Sequence, residues 1–256
     1  MAVVIAPELV EPFRRAPHRA ALITDFDGTL APIVDDPEDS RAFDGASALL
    51  KKLAASYGLV AVVSGRPVAF LSEQLSCGPE IELRGLYGLE SSRQGAVDDR
   101  VEAWRDAVNA VAARADAEAP SGVTVERKGL TVTLHYRTAP EAGPWVESWT
   151  AAQASTTGLR RHPARMSWEL VPPVPVDKGT TVVALAEGFD AVCFIGDDLG
   201  DLPAFAALDL LVAEGAYALK VVVESEEVPP ELLREADLVV PGPAGVMGFL
   251  ELLAEV

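Results

Sequence analysis

The chain has 256 residues, 49% of them hydrophobic, and carries a formal net charge of −18. That size and composition suit a globular protein of one large domain, or of a core plus a smaller module. The charge argues against nucleic acid or an anionic membrane as a partner, and an anionic substrate would need local positive charge of its own.

No run is apolar enough to span a bilayer. The start, MAVVIAPELVEPFRR, lacks the basic head and long apolar run of a signal peptide. Cys77 and Cys193 have neither CxxC nor Cys/His spacing and read as incidental or buried thiols. No coiled-coil repeat or apolar surface stripe is evident. The expectation is a cytoplasmic monomer.

In chain order, ALIT (21–24) reads as a short buried strand. DGASALLKKLAASYG (44–58) has helical spacing, with Asp44 placed to N-cap it and Gly58 to end it. LVAVVSG (59–65) is a continuous apolar strand, Pro67 suits the first turn of a helix, and IELRG (81–85) closes the segment. The last third repeats this alternation. Helices are expected at 178–188, 201–208, 229–236 and the C-terminus, and strands at 191–196, 219–223 and 237–242. Strands alternating with helices imply a parallel sheet wrapped by helices, an α/β Rossmann-like core.

The middle differs. A helix over 101–119 places Val101, Trp104, Val108 and Val111 on one face. TVERKG and LTVTLHYR follow as strands, then a helix near 143–156 and the strand RMSWELV. This antiparallel α+β pattern is expected to be an inserted domain over 93–173, between core segments 1–92 and 174–256. Period two sets Leu130, Val132, Leu134 and Tyr136 on one face, with Met166, Trp168 and Leu170. Thr131, Thr133, His135 and Arg137 take the other face, joined by Glu126, Lys128, Arg165, Ser167 and Glu169. That polar face is either solvated or a binding surface. Trp104, Trp145, Trp149 and Trp168 read as core of the insert rather than as stacking platforms.

Four pieces are expected at the carboxyl ends of parallel strands, where open sheets bind ligands. They are Asp25-Phe26-Asp27-Gly28-Thr29, Ser64-Gly65-Arg66, Lys178, and Gly196-Asp197-Asp198-Leu199-Gly200-Asp201. Acidic clusters and two cations converging there call for a divalent metal. Carboxylates and a backbone carbonyl are the hard oxygen ligands that Mg²⁺ prefers.

These four motifs, in this order, resemble those of the haloacid dehalogenase phosphatases: DxDGT at 25–29, the serine of the second motif at Ser64, the lysine of the third at Lys178, and GDxxxD at 196–201. The insertion between the second and third resembles the type-2 cap. More narrowly, GLYGLE (85–90), ERKGLTVTLHYR (126–137), WEL (168–170) with DKG (177–179), and GDDLGD resemble trehalose-6-phosphate phosphatases over nearly the whole chain. Two departures stand out: Gly85-Leu86-Tyr87-Gly88 where many members carry a histidine-containing GxHG, and Arg165-Met166-Ser167 where many are lysine-rich.

The resemblance implies a Mg²⁺-dependent hydrolysis of trehalose 6-phosphate through an aspartyl-phosphate. Asp25 would be the nucleophile. Asp27 would be general acid and then base, its backbone carbonyl a metal ligand. Ser64 and Thr29 would hold phosphoryl oxygens, and Lys178 would orient Asp25 and the phosphoryl group. Asp197 would ligate the metal directly, while Asp201, with Asp198 as a further candidate, would hold its waters or the lysine. Glu126, Lys128, Arg137 and Glu169 would read the sugar. Arg66 would either reach the substrate from the core or lie on the surface at a helix N-terminus, and His135 would be a ligand or a structural hydrogen-bonder. Another sugar phosphate, such as sucrose phosphate or mannosyl-3-phosphoglycerate, and a non-catalytic sensor or synthase-binding subunit are the alternatives.

Overall fold

A computed structural model describes residues 5–93, 99–164, 166–226 and 228–255. In chain order the elements are α1 (Pro7–Arg15), β1 (Ala20–Thr24), α2 (Ala46–Ala54), β2 (Leu59–Val63), α3 (Val68–Leu75), β3 (Glu82–Gly85), β4 (Glu90–Ser91), α4 (Asp99–Glu102), α5 (Arg105–Glu118), β5 (Thr124–Arg127), β6 (Val132–His135), α6 (Gly143–Thr157), β7 (Arg160–Ala164), β8 (Ser167–Val171), α7 (Lys178–Ala186), β9 (Ala191–Gly196), α8 (Leu202–Ala213), β10 (Tyr217–Glu224), α9 (Pro230–Glu235), β11 (Leu238–Pro241) and α10 (Gly242–Leu253).

The described residues fall into two compact units. One holds residues 5–34, 40–93 and 176–255. Its sheet runs β11-β10-β9-β1-β2-β3-β4, parallel throughout except for β4. Every residue of β1, β2 and β9 is buried, which is why these strands are continuously apolar rather than alternating. Their side chains divide between two cores. Leu22, Val60, Val62, Cys193 and Ile195 pack with residues of α1, α2, α3 and α10. Ile23, Ala61, Val63, Val192 and Phe194 pack with residues of α7 and α8. The result is a three-layer, Rossmann-like α/β core.

The second unit holds residues 35–39 and 99–175. Its antiparallel sheet runs β5-β6-β8-β7. Val132, Leu134 and Leu170 pack against Val108, Val111, Ala112 and Ala115 of α5 and Val146 and Trp149 of α6. Trp104, Trp145 and Trp168 pack at the margin of the same cluster, so all four tryptophans belong to this core. Burying such side chains contributes roughly 1.5–3 kcal/mol each, and they give the small sheet its stability.

Several local expectations are corrected. α2 starts at Ala46 and is N-capped by Gly45, without a side-chain bond from Asp44, and it ends at Ala54, before Gly58. Pro67 is the N-cap of α3 rather than its first residue. The 101–119 helix is broken, with α5 starting at Arg105. β6 ends at His135, so Tyr136 and Arg137 lie in the turn beyond it. Arg165, expected on the polar face, lies outside the described residues. Among the described residues no helix is long and apolar enough to cross a membrane.

Candidate active site

β1 ends at Thr24 and the chain turns at once. The Phe26 carbonyl accepts from the amides of Thr29 at 3.2 Å, Leu30 at 2.8 Å and Ala31 at 2.9 Å, and Gly28 N–H donates to Ala31 O at 2.8 Å. Phe26 is fully buried and anchors the turn. Gly28 has φ +77°, and a Cβ there would lie 2.1 Å from Asp197 Oδ2. Only glycine accepts both the left-handed backbone and that approach. With the turn fixed this way, Asp25 and Asp27 meet different surroundings on either side of Phe26.

Asp25 is buried, and its Oδ2 lies 2.8 Å from Lys178 Nζ. Lys178 is also buried and donates to Asp201 Oδ1 at 2.6 Å. It does not follow a parallel strand, as expected from the motif spacing, but is the first residue of α7. Asp177, the N-cap of that helix, accepts from Thr180 N–H at 2.8 Å and so sets where the helix starts. Asp201 Oδ2 accepts from the amides of Asp197 at 2.8 Å and Asp198 at 3.1 Å, tying down the loop after β9. A Cβ at Gly196 would collide with Asp201 Cγ at 2.4 Å, so the glycine of the GDxxxD run makes room for this carboxylate. Asp198 is spent on the turn itself, accepting from Gly200 N–H at 2.8 Å.

Among the described residues, Asp25, Asp197 and Asp201 offer carboxylate oxygens that all lie within 4.8 Å of one another. Lys178, itself buried, pairs with two of these three buried acids, Asp25 and Asp201. Hard oxygen donors with excess negative charge fit a divalent cation. Electrostatics report the same imbalance. Burial pushes the Asp25 carboxyl up to about 8; Lys178 opposes the rise, and Asp201 and Asp198 add to it. Burial also raises Asp201, again against Lys178. Burial disfavours the charge on Lys178, but Asp201, Asp25 and Asp198 outweigh it and hold the ammonium well above its ordinary range.

Asp27 is more open and has a different counter-ion. Arg66 Nε donates to its Oδ2 at 2.7 Å and Arg66 Nη2 to its Oδ1 at 3.0 Å. Ser40 Oγ donates to Oδ1 at 2.7 Å. Arg66 is therefore a buried partner of the second aspartate rather than a surface residue. Ser64 is buried beside it, its Oγ accepting from Arg66 N–H at 3.2 Å. Thr29 is buried too, with its hydroxyl 3.5 Å from Asp197 Oδ1. Sequence reasoning missed Ser40, which sits in an irregular segment. It also missed Glu90, whose Oε2 accepts from Val68 N–H at 2.7 Å and caps α3 just after Arg66.

In the second unit the register sets Glu126 opposite Thr133, Thr133 opposite Glu169, and Glu169 opposite His162. Lys128 Nζ lies 3.6 Å from Glu126 Oε2 and 3.3 Å from Glu169 Oε1. Thr131 also donates to Glu169. His135 Nε2 is 2.8 Å from Glu126 Oε2. Glu126, Lys128, Glu169 and His135 are thus one polar cluster on the sheet face opposite the tryptophans. Arg137 lies in the turn just beyond β6.

The model of the trehalose-phosphatase family matches residues 23–231. Trehalose-phosphate phosphatase of Mycobacterium marinum is 32% identical over 203 residues, covering 74% of this chain and 52% of that protein. Its Mycobacterium bovis counterpart is 30% identical over 255 residues, covering 93% of this chain and 62% of that protein. The chain thus spans about half the length of the first curated relatives it matches. The trehalose-6-phosphate phosphatase of Aspergillus fumigatus superposes with a TM-score of 0.62 at 27% identity, over 99% of this chain and 98% of that one. The C-terminal domain of the Candida albicans enzyme gives 0.80 at 23% identity over 99% and 98%, a likeness of fold. The chain belongs to the trehalose-phosphatase family, and through it to the haloacid dehalogenase superfamily.

Proposed function

We propose that the chain is a Mg²⁺-dependent phosphatase that hydrolyses trehalose 6-phosphate to trehalose and phosphate, acting as a cytoplasmic monomer. The observation that carries this reading is Lys178, buried and bonded to Asp25 and Asp201 beside Asp197. A nucleophilic carboxylate, a fixed cation and a cluster suited to a divalent ion are the parts that phosphoryl transfer needs.

Asp25, Asp197, Asp201 and the Asp27 carbonyl would hold the Mg²⁺. When bound, the ion supplies Lewis-acid stabilisation of phosphoryl charge and lessens its repulsion from Asp25. Asp25 attacks phosphorus; its new O–P bond forms as the bond to the sugar oxygen breaks. Asp27 gives that oxygen a proton. Asp27 then takes a proton from water, whose oxygen attacks phosphorus and releases Asp25 and inorganic phosphate. Lys178 holds Asp25 in line and, with Ser64 and Thr29, steadies the phosphoryl oxygens. The insert over 93–173 is the cap, and Glu126, Lys128, Arg137 and Glu169 recognise the sugar hydroxyls.

The test is phosphate release from trehalose 6-phosphate with Mg²⁺ and with excess EDTA, beside glucose 6-phosphate and sucrose 6-phosphate. Release from the first alone, lost with EDTA, is the expected result. Metal-dependent release from another sugar phosphate keeps the chemistry and overturns the substrate. No release by folded protein overturns the enzyme reading.

A further inference from the structure

We infer that Arg66 and Ser40 are positioning residues for Asp27: together they fix the carboxylate so that one oxygen atom, Oδ2, handles the proton for the departing sugar. The inference rests on the phosphatase reading above and deepens it.

The clamp is a built structure. An ionised carboxylate has about four in-plane acceptor positions, two on each oxygen. Oδ1 accepts from Ser40 Oγ at 2.7 Å and Arg66 Nη2 at 3.0 Å. Oδ2 accepts from Arg66 Nε at 2.7 Å. Among the described residues this leaves Oδ2 with the open position. The two-pronged guanidinium contact fixes the plane of the carboxylate, which a single ammonium contact would not do.

The arginine is itself held. Its guanidinium carbon lies 4.5 Å from the ring centroid of Phe70 on α3. Phe70 packs edge-on against Phe26, with centroids 5.8 Å apart at 88°. Phe26 is the buried residue between the two aspartates. The backbone N–H of Arg66 is tied to Ser64 Oγ. Aspartate, arginine and the rings beneath them therefore form a closed frame from the ends of β1 and β2 and the first turns of α3. The Asp27 side chain is 32% exposed while that of Arg66 is 10% exposed, so the open side of the pair belongs to the aspartate.

A proton donor matters in proportion to how poor the leaving group is. A sugar alkoxide needs protonation; p-nitrophenolate leaves without it. General acid catalysis contributes ~10²–10⁴-fold, and misplacing a reacting group by an ångström costs ~10²-fold. The ratio of losses on the two substrates therefore separates a residue that aims Asp27 from one that binds phosphate.

The experiment compares kcat/KM for trehalose 6-phosphate and p-nitrophenyl phosphate in the wild type, Arg66→Lys, Arg66→Gln and Ser40→Ala, with Mg²⁺ saturating and folding checked by thermal unfolding. The expected loss on the sugar phosphate is ~30–100-fold for the Arg66 variants and ~10-fold for Ser40→Ala, with p-nitrophenyl phosphate losing under ~5-fold. Equal losses on both substrates show Arg66 binding phosphate and overturn the inference, as does wild-type turnover of the sugar phosphate in all three variants. Should the Arg66 variants fail to fold, Ser40→Ala carries the same comparison. A wild type that turns over neither substrate overturns the underlying phosphatase reading as well, and so is told apart from a failure of the clamp alone.

Discussion

Replacing Asp25 by Asn should stop turnover, and in the metal-free protein it should also stabilise the fold at alkaline pH. The second expectation follows from burial. Asp25 titrates near 3.8 in an unfolded chain and near 8 in the fold, chiefly because it is buried, with Lys178 holding back part of the rise. The sign follows from proton counting. Below the lower value both states are protonated and the carboxyl costs nothing. Between the two values the fold keeps a proton that the unfolded chain has released, so stability falls as pH rises. The loss is complete once the folded carboxyl ionises. Each pH unit in this window costs ~1.4 kcal/mol. From about pH 5 to about pH 8 the wild type should therefore lose on the order of 3 kcal/mol relative to Asp25→Asn.

Asp201, raised for the same reason, remains in both proteins and largely cancels in the difference. Lys178 titrates above this window and does not contribute to the slope. The assay is urea unfolding in EDTA at a series of pH values, for both proteins. Saturating Mg²⁺ should shrink the difference, because the cation balances the charge that the fold otherwise buries. Parallel stability curves in EDTA would refute the reasoning, since the ammonium of Lys178 would then fully compensate the buried carboxylate. Retained turnover by Asp25→Asn would separately sink its assignment as nucleophile; the expected loss is roughly a thousandfold or more.

Gly28→Ala should lower divalent-ion affinity about tenfold or more by isothermal titration and cost ~1–2 kcal/mol in unfolding experiments. Its new Cβ needs a left-handed backbone and the space that Asp197 fills. Unchanged Mg²⁺ binding would remove Asp197 from the metal site. Glu169→Gln should weaken kcat/KM for trehalose 6-phosphate by ~10–100-fold while affecting p-nitrophenyl phosphate far less, because a charge-assisted acceptor for sugar hydroxyls is lost. Equal effects on both substrates would make the Glu126–Lys128–Glu169 cluster a purely structural one.

Much of the site was legible because its residues follow apolar runs with one reading. ALIT, LVAVV and AVCFIG are too continuously apolar to be anything but buried strands of a parallel sheet, and the residues that follow them converge. The joining of Asp25, Asp197 and Asp201 follows from that, whereas Lys178 reaches them from the first turn of α7. The polar sheet face was legible from alternation: period two placed Glu126, Lys128 and Glu169 together. What escaped has physical causes. β7 is RRHPA, a composition that no strand propensity favours; pairing with β8 makes it a strand. α1, which contains Pro12, has no counterpart in the sequence reading; Val10 and Phe13 bury themselves and hold it helical. The partner of Asp27 escaped because Arg66 is 39 residues away, and only the adjacency of β1 and β2 brings them together.

Two like charges one residue apart meet distinct surroundings, and the proposed mechanism asks different things of each. The turn through Phe26 sends Asp25 inward, where it is buried with an ammonium that also serves Asp201. The same turn leaves Asp27 partly open, held by a guanidinium and a hydroxyl that hydrogen-bond to it directly. A nucleophile gains from the first environment: it is poorly solvated, immobile, and near a cluster that can take a cation. A proton carrier gains from the second, which fixes its orientation and leaves an oxygen reachable. Exchanging the environments would spoil both. A proton carrier in the Asp25 position would be buried and tied to Lys178, and a nucleophile in the Asp27 position would be partly solvated with its oxygens already engaged by Arg66 and Ser40. On the proposed mechanism the buried residue between them matters as much as either acid. Phe26 is the pivot that sets their divergence, and Gly28 is the backbone freedom that lets the chain complete the turn.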